Sequence, residues 1–161
     1  MTITLRTATD CDLATINARY ADIGFVPSHP GELIVVATFD SASAGQGRIV
    51  PIDARSAELG GIYVLPRCEG RGVARRMVEF LIRHANQPVL YCLPFAELEG
   101  FYGSMGFAPV KDLTCVPLQV VQKHQWCNAT YQKPVLLLAR FAPNLSVLPA
   151  PSAARQLALQ K

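Results

Sequence analysis

AELGGIYVLPRCEGRGVARRMVEFL, residues 57–81, passes from a strand to a helix through a single turn. Ala57–Leu65 is a strand-length stretch, weakened locally by Gly60 and Gly61. Pro66 stops it, and Gly70 and Gly72 loosen the chain. From there Val73, Met77, Leu81 and Ala85 recur every four residues, with Val78, Phe80 and Ile82 broadening the stripe, so a helix begins at Val73. Arg75, Arg76, Glu79 and Arg83 fall toward the other side, with Glu79 and Arg83 in the favourable i,i+4 order. The leading amides of such a helix have no intrahelical partners and carry the positive end of its dipole, and an anion satisfies both. Gly72 lets the backbone approach a ligand closely, Ala74 keeps the first turn small, and Arg71, Arg75 and Arg76 can reach an outlying phosphate. Two facts oppose this. Gly-x-Gly at such a corner often serves packing alone, and Glu69 puts a carboxylate in the would-be cradle. The turn also lacks the Lys and Ser/Thr of a Walker loop and the third glycine of the dinucleotide fingerprint.

Outward from this turn, strand and helix signals alternate. Ile3–Arg6 alternates apolar and polar residues, as a short strand does. Asp10 or Asp12 can cap a helix whose Leu13, Ile16 and Tyr20 recur at helical spacing. GFVPSHPGE (24–32) is a loop, Leu33–Phe39 an interior strand, and DSASAGQG (40–47) a turn before a strand near RIVPI (48–52). Pro51 falls at that strand's end or at a bulge. Beyond the helix, Pro88–Leu93 reads as a buried strand. PFAELEGFYGSMGF (94–107) reads as a short helix closing near Gly103, with a strand from Phe107. A helix over VPLQVVQKHQW (116–126) and a strong strand, Pro134–Phe141, follow. Residues 1–142 form one domain on this reading, and 143–161 a tail. Strands in series, then strand–helix–strand, predict an α/β fold: a mixed, mostly antiparallel sheet with a central parallel β-α-β crossover flanked by helices. Ligands in such sheets bind beyond the carboxyl ends of the strands, where the opening turn lies.

Bulk properties narrow the class. The chain has 161 residues, half of them hydrophobic and 17% charged, which suits a globular core. A net charge of +3, without a Lys/Arg run, does not argue for nucleic acid. The five cysteines (Cys11, Cys68, Cys92, Cys115, Cys127) are odd in number and include no CxxC pair. That disfavours a disulfide framework or a zinc knuckle and predicts reduced thiols in a cytoplasm, with no metal. The N-terminus has no apolar signal core, and no run approaches a membrane span.

About thirty residues after the glycine turn stands FYGSMGF, Phe101–Phe107. With both motifs in place the sequence resembles the GNAT superfamily of acyl-CoA-dependent N-acyltransferases. The family's phosphate loop begins with Gln or Arg, has Gly three positions on, and Gly or Ala two beyond that. Here the matching residues are Glu69, Gly72 and Ala74, preceded by the family-like IYVLP. The resemblance spans Ile3–Phe141 in element order and is specific between Ala57 and Val110. It implies a GNAT-type sheet and an N-acetyltransferase that takes acetyl-CoA as acyl donor and an amine as acceptor, by direct transfer in a ternary complex. A non-catalytic acyl-CoA-binding or protein-interaction domain is the alternative, favoured by Glu69. The backbone amides of Glu69, Gly70, Arg71, Gly72, Val73, Ala74 and Arg75 would hold the pyrophosphate, and Ile62, Tyr63 and Val64 the acyl and pantetheine arm. Glu69 is expected to point away, paired with Arg67 or Arg71. The fold often forms homodimers through its last strands, and the sequence leaves the oligomeric state open.

The chemistry suggests two catalytic residues. An alkyl ammonium of pKa about 10.4 must reach the thioester neutral, so a base or a water relay is needed. Glu58, at the start of the strand before the turn, matches in place a glutamate that serves as base in histone-type members. An exposed strand-end carboxylate is the competing reading. Tyr102 matches a tyrosine near the cofactor sulfur: a free phenol of pKa about 10 can donate to a thiolate of pKa about 8.5. Its competing role is aromatic packing. His29, His84, His124, Trp126 and Cys127 form no recognised ligand spacing, and Cys92 lacks an activating base. Tyr20 and Phe25 suit either an acceptor wall or the core.

Overall fold

The structure is a computed structural model that describes residues 2–143. The expected tail, apart from Pro143 itself, lies outside the described residues. The chain divides into two compact units, Met1–Cys92 and Leu93–Lys161.

The first unit contains β1 (Ile3–Thr7), α1 (Leu13–Asp22), β2 (Leu33–Phe39), β3 (Ala42–Pro51), β4 (Ser56–Val64), α2 (Val73–His84) and β5 (Val89–Cys92). The strands lie in the order β1-β2-β3-β4-β5. All neighbours are antiparallel except β4 and β5, which the α2 crossover joins in parallel. This is the mixed, mostly antiparallel sheet the sequence predicts.

The two helices use opposite faces of the sheet. Val35 stands opposite Gly47, and Ala37 opposite Gly45, on the face where Met77 and Leu81 of α2 approach those glycines. Val36 opposite Gln46, and Ile34 opposite Arg48, alternate onto the other face, where Ile16 and Tyr20 of α1 pack on Ile34. The expected turn over residues 40–47 is much shorter than its composition suggests. Asp40 and Ser41 alone reverse the chain, both at positive φ (48° and 66°), and β3 starts at Ala42. Gly45 and Gly47 are strand residues. A Cβ on Gly45 would stand 2.6 Å from the Tyr63 carbonyl oxygen and 3.1 Å from Met77 Cε. Backbone cannot yield as a side-chain tip can, so Gly45→Ala should cost about 2 kcal/mol of overpacking, visible as a lower denaturation midpoint at unchanged slope.

Asp12 precedes α1, but its carboxylate points back to β1. It accepts two hydrogen bonds from Arg6, at 2.7 and 2.8 Å, and one from the Thr9 amide at 2.7 Å. These bonds, the Arg6 pair first, hold the Asp12 carboxyl well below the usual carboxylate range. Asp12→Ala should therefore cost about 1 kcal/mol and lower Tm by roughly 3 °C. Because the folded pKa is depressed, this stabilisation is present above pH ~4 and fades as acid protonates the carboxylate, so wild type and variant should converge there.

The second unit contains α3 (Glu99–Gly103), β6 (Ala108–Pro109), α4 (Leu118–Thr130) and β7 (Leu138–Phe141), with β6 and β7 antiparallel. Helix α4 outruns its expected end by a turn. Cys127 is buried, and the Asn128 side chain accepts from the Val135 amide and donates to the Val135 carbonyl, tying the helix end to the next segment. Among the described residues no helix is long and apolar enough to cross a membrane.

Candidate functional site

The parallel ladder between β4 and β5 is short. Ser56 pairs with Val89, Ala57 with Leu90 and Glu58 with Tyr91. There it ends, while β4 runs on to Val64. On its other edge β4 stays with β3, where Tyr63 stands opposite Gln46 and Val64 opposite Gly45. The register between these strands shifts after Arg48–Gly60, so Gly61 and Ile62 together face Gly47. This is a β-bulge, with Gly61 at φ 61°. The Gly-Gly pair that weakens the sequence signal is thus the place where β4 bends. Past the bulge, Ile62, Tyr63 and Val64 carry backbone groups on the edge that β5 has left.

The turn that follows is built for close approach. Gly70 and Gly72 both lie at positive φ (69° and 79°), and a Cβ on either would meet nothing within 4 Å. Gly72 caps α2, whose first ladder bond runs from the Arg76 amide to the Gly72 carbonyl at 3.2 Å. The amides of Val73 and Ala74 therefore precede the ladder, at the positive end of the dipole. Arg71 lies with its guanidinium 5.1 Å from the Phe39 ring centre, and Arg75 lies 3.8 Å from Glu79. That pair replaces the expected Glu79–Arg83 contact. Glu69 is exposed. The expected pairing with Arg67 is not made: Arg67 donates to the Ser43 carbonyl at 2.6 Å, fastening the turn to β3.

Glu58 stands opposite Val50 and is half-buried on the α1 face, with Oε1 3.7 Å from where a Cβ of Gly60 would be. The same face carries Gln46, Arg48 and Tyr63. Gln46 is fully buried and donates to the Ile16 carbonyl of α1 at 3.0 Å. Tyr20, fully buried, donates from its hydroxyl to the Gly61 carbonyl at 2.8 Å, beneath the Arg48 guanidinium 4.6 Å from its ring centre. Burial pushes the Tyr20 phenol up to about 12. Arg48 also donates to Ser28 Oγ at 2.7 Å and lies 3.9 Å from Glu32. Asn17 clamps Ser28, accepting from its amide at 2.7 Å and donating to its carbonyl at 3.0 Å. Sequence reading singled out none of Asn17, Ser28, Glu32, Gln46 or Arg48. The one available signal was Gly60–Gly61, because a glycine pair inside a strand marks a bulge or a close backbone approach.

In the second unit Tyr102 is buried between Phe101 and Phe107, edge-to-face with both, at 5.0 and 5.7 Å between ring centres. The Phe107 amide returns to the Tyr102 carbonyl, and Gly106 turns the chain at φ 94°. A Cβ on Gly106 would stand 3.1 Å from Arg140 Nε, which donates to the Met105 carbonyl. FYGSMGF is therefore a helix end, a glycine turn and an aromatic stack in one motif.

The remaining candidates have structural partners. His84 Nδ1 lies 2.8 Å from the Phe80 carbonyl and stacks on the Phe80 ring, and His124 Nε2 lies 2.7 Å from the Val135 carbonyl. His29, largely exposed, is 3.5 Å from Glu32. Tyr20 is core, with Phe25 stacked at 5.8 Å. Cys92 is buried, and none of the five cysteines forms a disulfide. Among the described residues no cluster of three or more His, Cys, Asp or Glu could hold a metal ion.

The site thus combines a mixed sheet, a parallel pair that ends shortly before a bulge in β4, and an open glycine turn into a helix. The family described as "Acetyltransferase (GNAT) domain" matches residues 30–109, and the chain belongs to this superfamily. Solved structures share the fold. Rv2747 of Mycobacterium tuberculosis, in complex with CoA, aligns with a TM-score of 0.66 at 15% identity, over 86% of this chain and 98% of that one. Escherichia coli ElaA gives 0.61 at 16%, over 86% and 99%. N-acetylglutamate synthase of Neisseria gonorrhoeae, complexed with coenzyme A and L-arginine, gives 0.62 at 15% over 88% of this chain. The chain spans only a third of that enzyme's length, 33%. No curated protein matches the sequence.

Proposed function

We propose that this chain moves an acetyl group from acetyl-CoA to a primary amine by direct transfer in a ternary complex. The observation that carries this reading lies within the first unit. Strand β4 leaves β5 after Glu58–Tyr91, and its free edge leads into the Gly70-x-Gly72 turn at the head of α2. The backbone of Ile62, Tyr63 and Val64 takes the acyl and pantetheine arm. The amides of Gly70 to Arg75 take the pyrophosphate, with Arg71 and Arg75 adding charge. Glu69 contributes only its main chain, since its exposed carboxylate has water to turn to. Relatives of this fold crystallised with CoA support the choice of donor.

The acceptor enters as an ammonium and loses one proton, through water, to Glu58. Its nitrogen then bonds to the thioester carbonyl carbon, the C–S bond breaks, and the sulfur leaves with the electron pair. Tyr102 protonates that thiolate and recovers its proton from the attacking nitrogen by way of solvent. Products are the amide and CoA thiol. Tyr102→Phe keeps the edge-to-face stack and removes only the donor. It should lower kcat by about tenfold with little change in the KM for acetyl-CoA, less than a typical general-acid effect because a thiolate of pKa about 8.5 leaves readily.

A binding domain without chemistry is the second reading, and exposed Glu69 at the phosphate turn is the feature that favours it. The two are separated by isothermal titration of acetyl-CoA together with a free-thiol release assay across amines, amino acids and aminoglycosides. Amine-dependent CoA release supports the enzyme. Cofactor binding with release no faster than background hydrolysis for every amine supports the binding domain, and no binding at all removes both.

A further inference from the structure

We propose that Tyr20 is a positioning residue for acyl transfer: its hydroxyl holds the carbonyl of the bulge glycine, Gly61, and so fixes where Ile62, Tyr63 and Val64 face the thioester. The proposal rests on the donor reading above. Its physical basis is the bulge itself. Two residues of β4 oppose one of β3, which takes Gly61 out of the regular ladder. A part-buried carbonyl out of the ladder is best satisfied by a donor from the protein. Tyr20 supplies one from α1, 41 positions away in sequence and at 2.8 Å.

Apolar packing does not explain this residue. Tyr20 is fully buried beside Ile16 and Ile34, where phenylalanine would fill the same volume without a hydroxyl to satisfy. The fit at position 61 is equally tight. A Cβ there would stand 2.6 Å from the Tyr20 hydroxyl and 3.2 Å from Arg48 Nε, so glycine serves both its positive φ and the room the hydroxyl needs. The contact is also tied into its surroundings. Arg48 covers the Tyr20 ring and donates to Ser28, whose backbone Asn17 clamps from α1. One connected set of hydrogen bonds and a cation–π contact thus joins α1, the loop after it and the bulge, three residues beyond Glu58.

The test uses Tyr20→Phe, Gly61→Ala and the double variant. Tyr20→Phe should lower kcat/KM for acetyl-CoA about tenfold, the size of effect expected when a part-buried carbonyl loses its donor. Affinity for CoA without the acetyl group should stay within about twofold, because the phosphate turn is untouched. A purely structural tyrosine would instead lower Tm and leave kcat of the folded enzyme unchanged. Gly61→Ala crowds the same hydroxyl, so its defect should be smaller in the Tyr20→Phe background than in wild type. Hydrogen exchange of the Ile62 and Val64 amides supplies a readout that needs no activity, and it should quicken in Tyr20→Phe. Unchanged exchange at those amides, or kcat/KM within twofold of wild type, overturns the proposal. Failure of wild type to bind acetyl-CoA, with exchange still quickened, removes the donor reading and leaves the role of Tyr20 at the bulge standing.

Discussion

Glu58→Gln should lower kcat about a hundredfold at pH 7 while leaving the affinity for acetyl-CoA unchanged. The substitution keeps the shape of the side chain and removes its capacity to take a proton. The expected size follows from the acceptor. A primary amine of pKa about 10.4 is neutral in only about one molecule in 2,500 at pH 7, so an enzyme without a base works from a very small reactive fraction. At pH 9.5 about one molecule in nine is neutral. The deficit of the variant should therefore shrink as pH rises, and a steady-state profile between pH 7 and 9.5 checks this directly. A constant hundredfold deficit would assign Glu58 to orienting the acceptor. No deficit at any pH would return it to the role of an ordinary strand residue on the α1 face.

Most of the frame was legible in sequence because it rests on local signals of high contrast. Leu33–Phe39 is a continuous apolar run between turn residues and forms β2 with those same bounds. The four-residue spacing from Val73 gives α2, and Gly72 in the left-handed region starts it. Legibility failed where a tertiary contact decides. Residues 42–47 have the composition of a turn, yet they are strand, because their glycines leave room for the Tyr63 carbonyl and for Met77, Ile62 and Leu81. Small residues chosen for close approach look the same in sequence as small residues chosen for flexibility. Helix α4 runs past the end its sequence predicts because its last turn is held by Asn128 bonding to Val135, which no local propensity encodes.

The candidate site divides along the same line. The glycine turn depends on backbone conformation, which Gly70 and Gly72 announce. The polar set on the α1 face depends on side chains from three segments, which reach the Gly61 carbonyl of a fourth: Asn17 and Tyr20, Ser28, and Gln46 and Arg48. Each is unremarkable in its own stretch of sequence. Tyr20 even sits at a helical core spacing that any large apolar residue would satisfy. Its hydroxyl becomes informative only once the bulge carbonyl is known to need it.

Tyr20 also makes an alkaline weakness of the fold the second large effect. Burial raises its phenol, against the opposing Arg48 charge and the Gln46 hydrogen bond, to about 12 from an ordinary 10.0. Below pH 10 the phenol is protonated in both folded and unfolded chains and contributes no pH dependence. Between pH 10 and 12 the unfolded chain releases the proton while the folded one retains it, so unfolding gains ground as pH rises. A two-unit difference corresponds to about 2.7 kcal/mol in full, most of it lost by pH 12, a large fraction of the stability of a domain of this size. Urea midpoints measured from pH 8 to 11.5 should therefore fall steeply above pH 10. In Tyr20→Phe the part of that slope owed to this phenol disappears, and the variant should be the more stable protein at pH 11.5 even if it is the less stable one at pH 8. Parallel curves for the two proteins would mean that the phenol titrates alike folded and unfolded, and that its burial does not govern its ionisation.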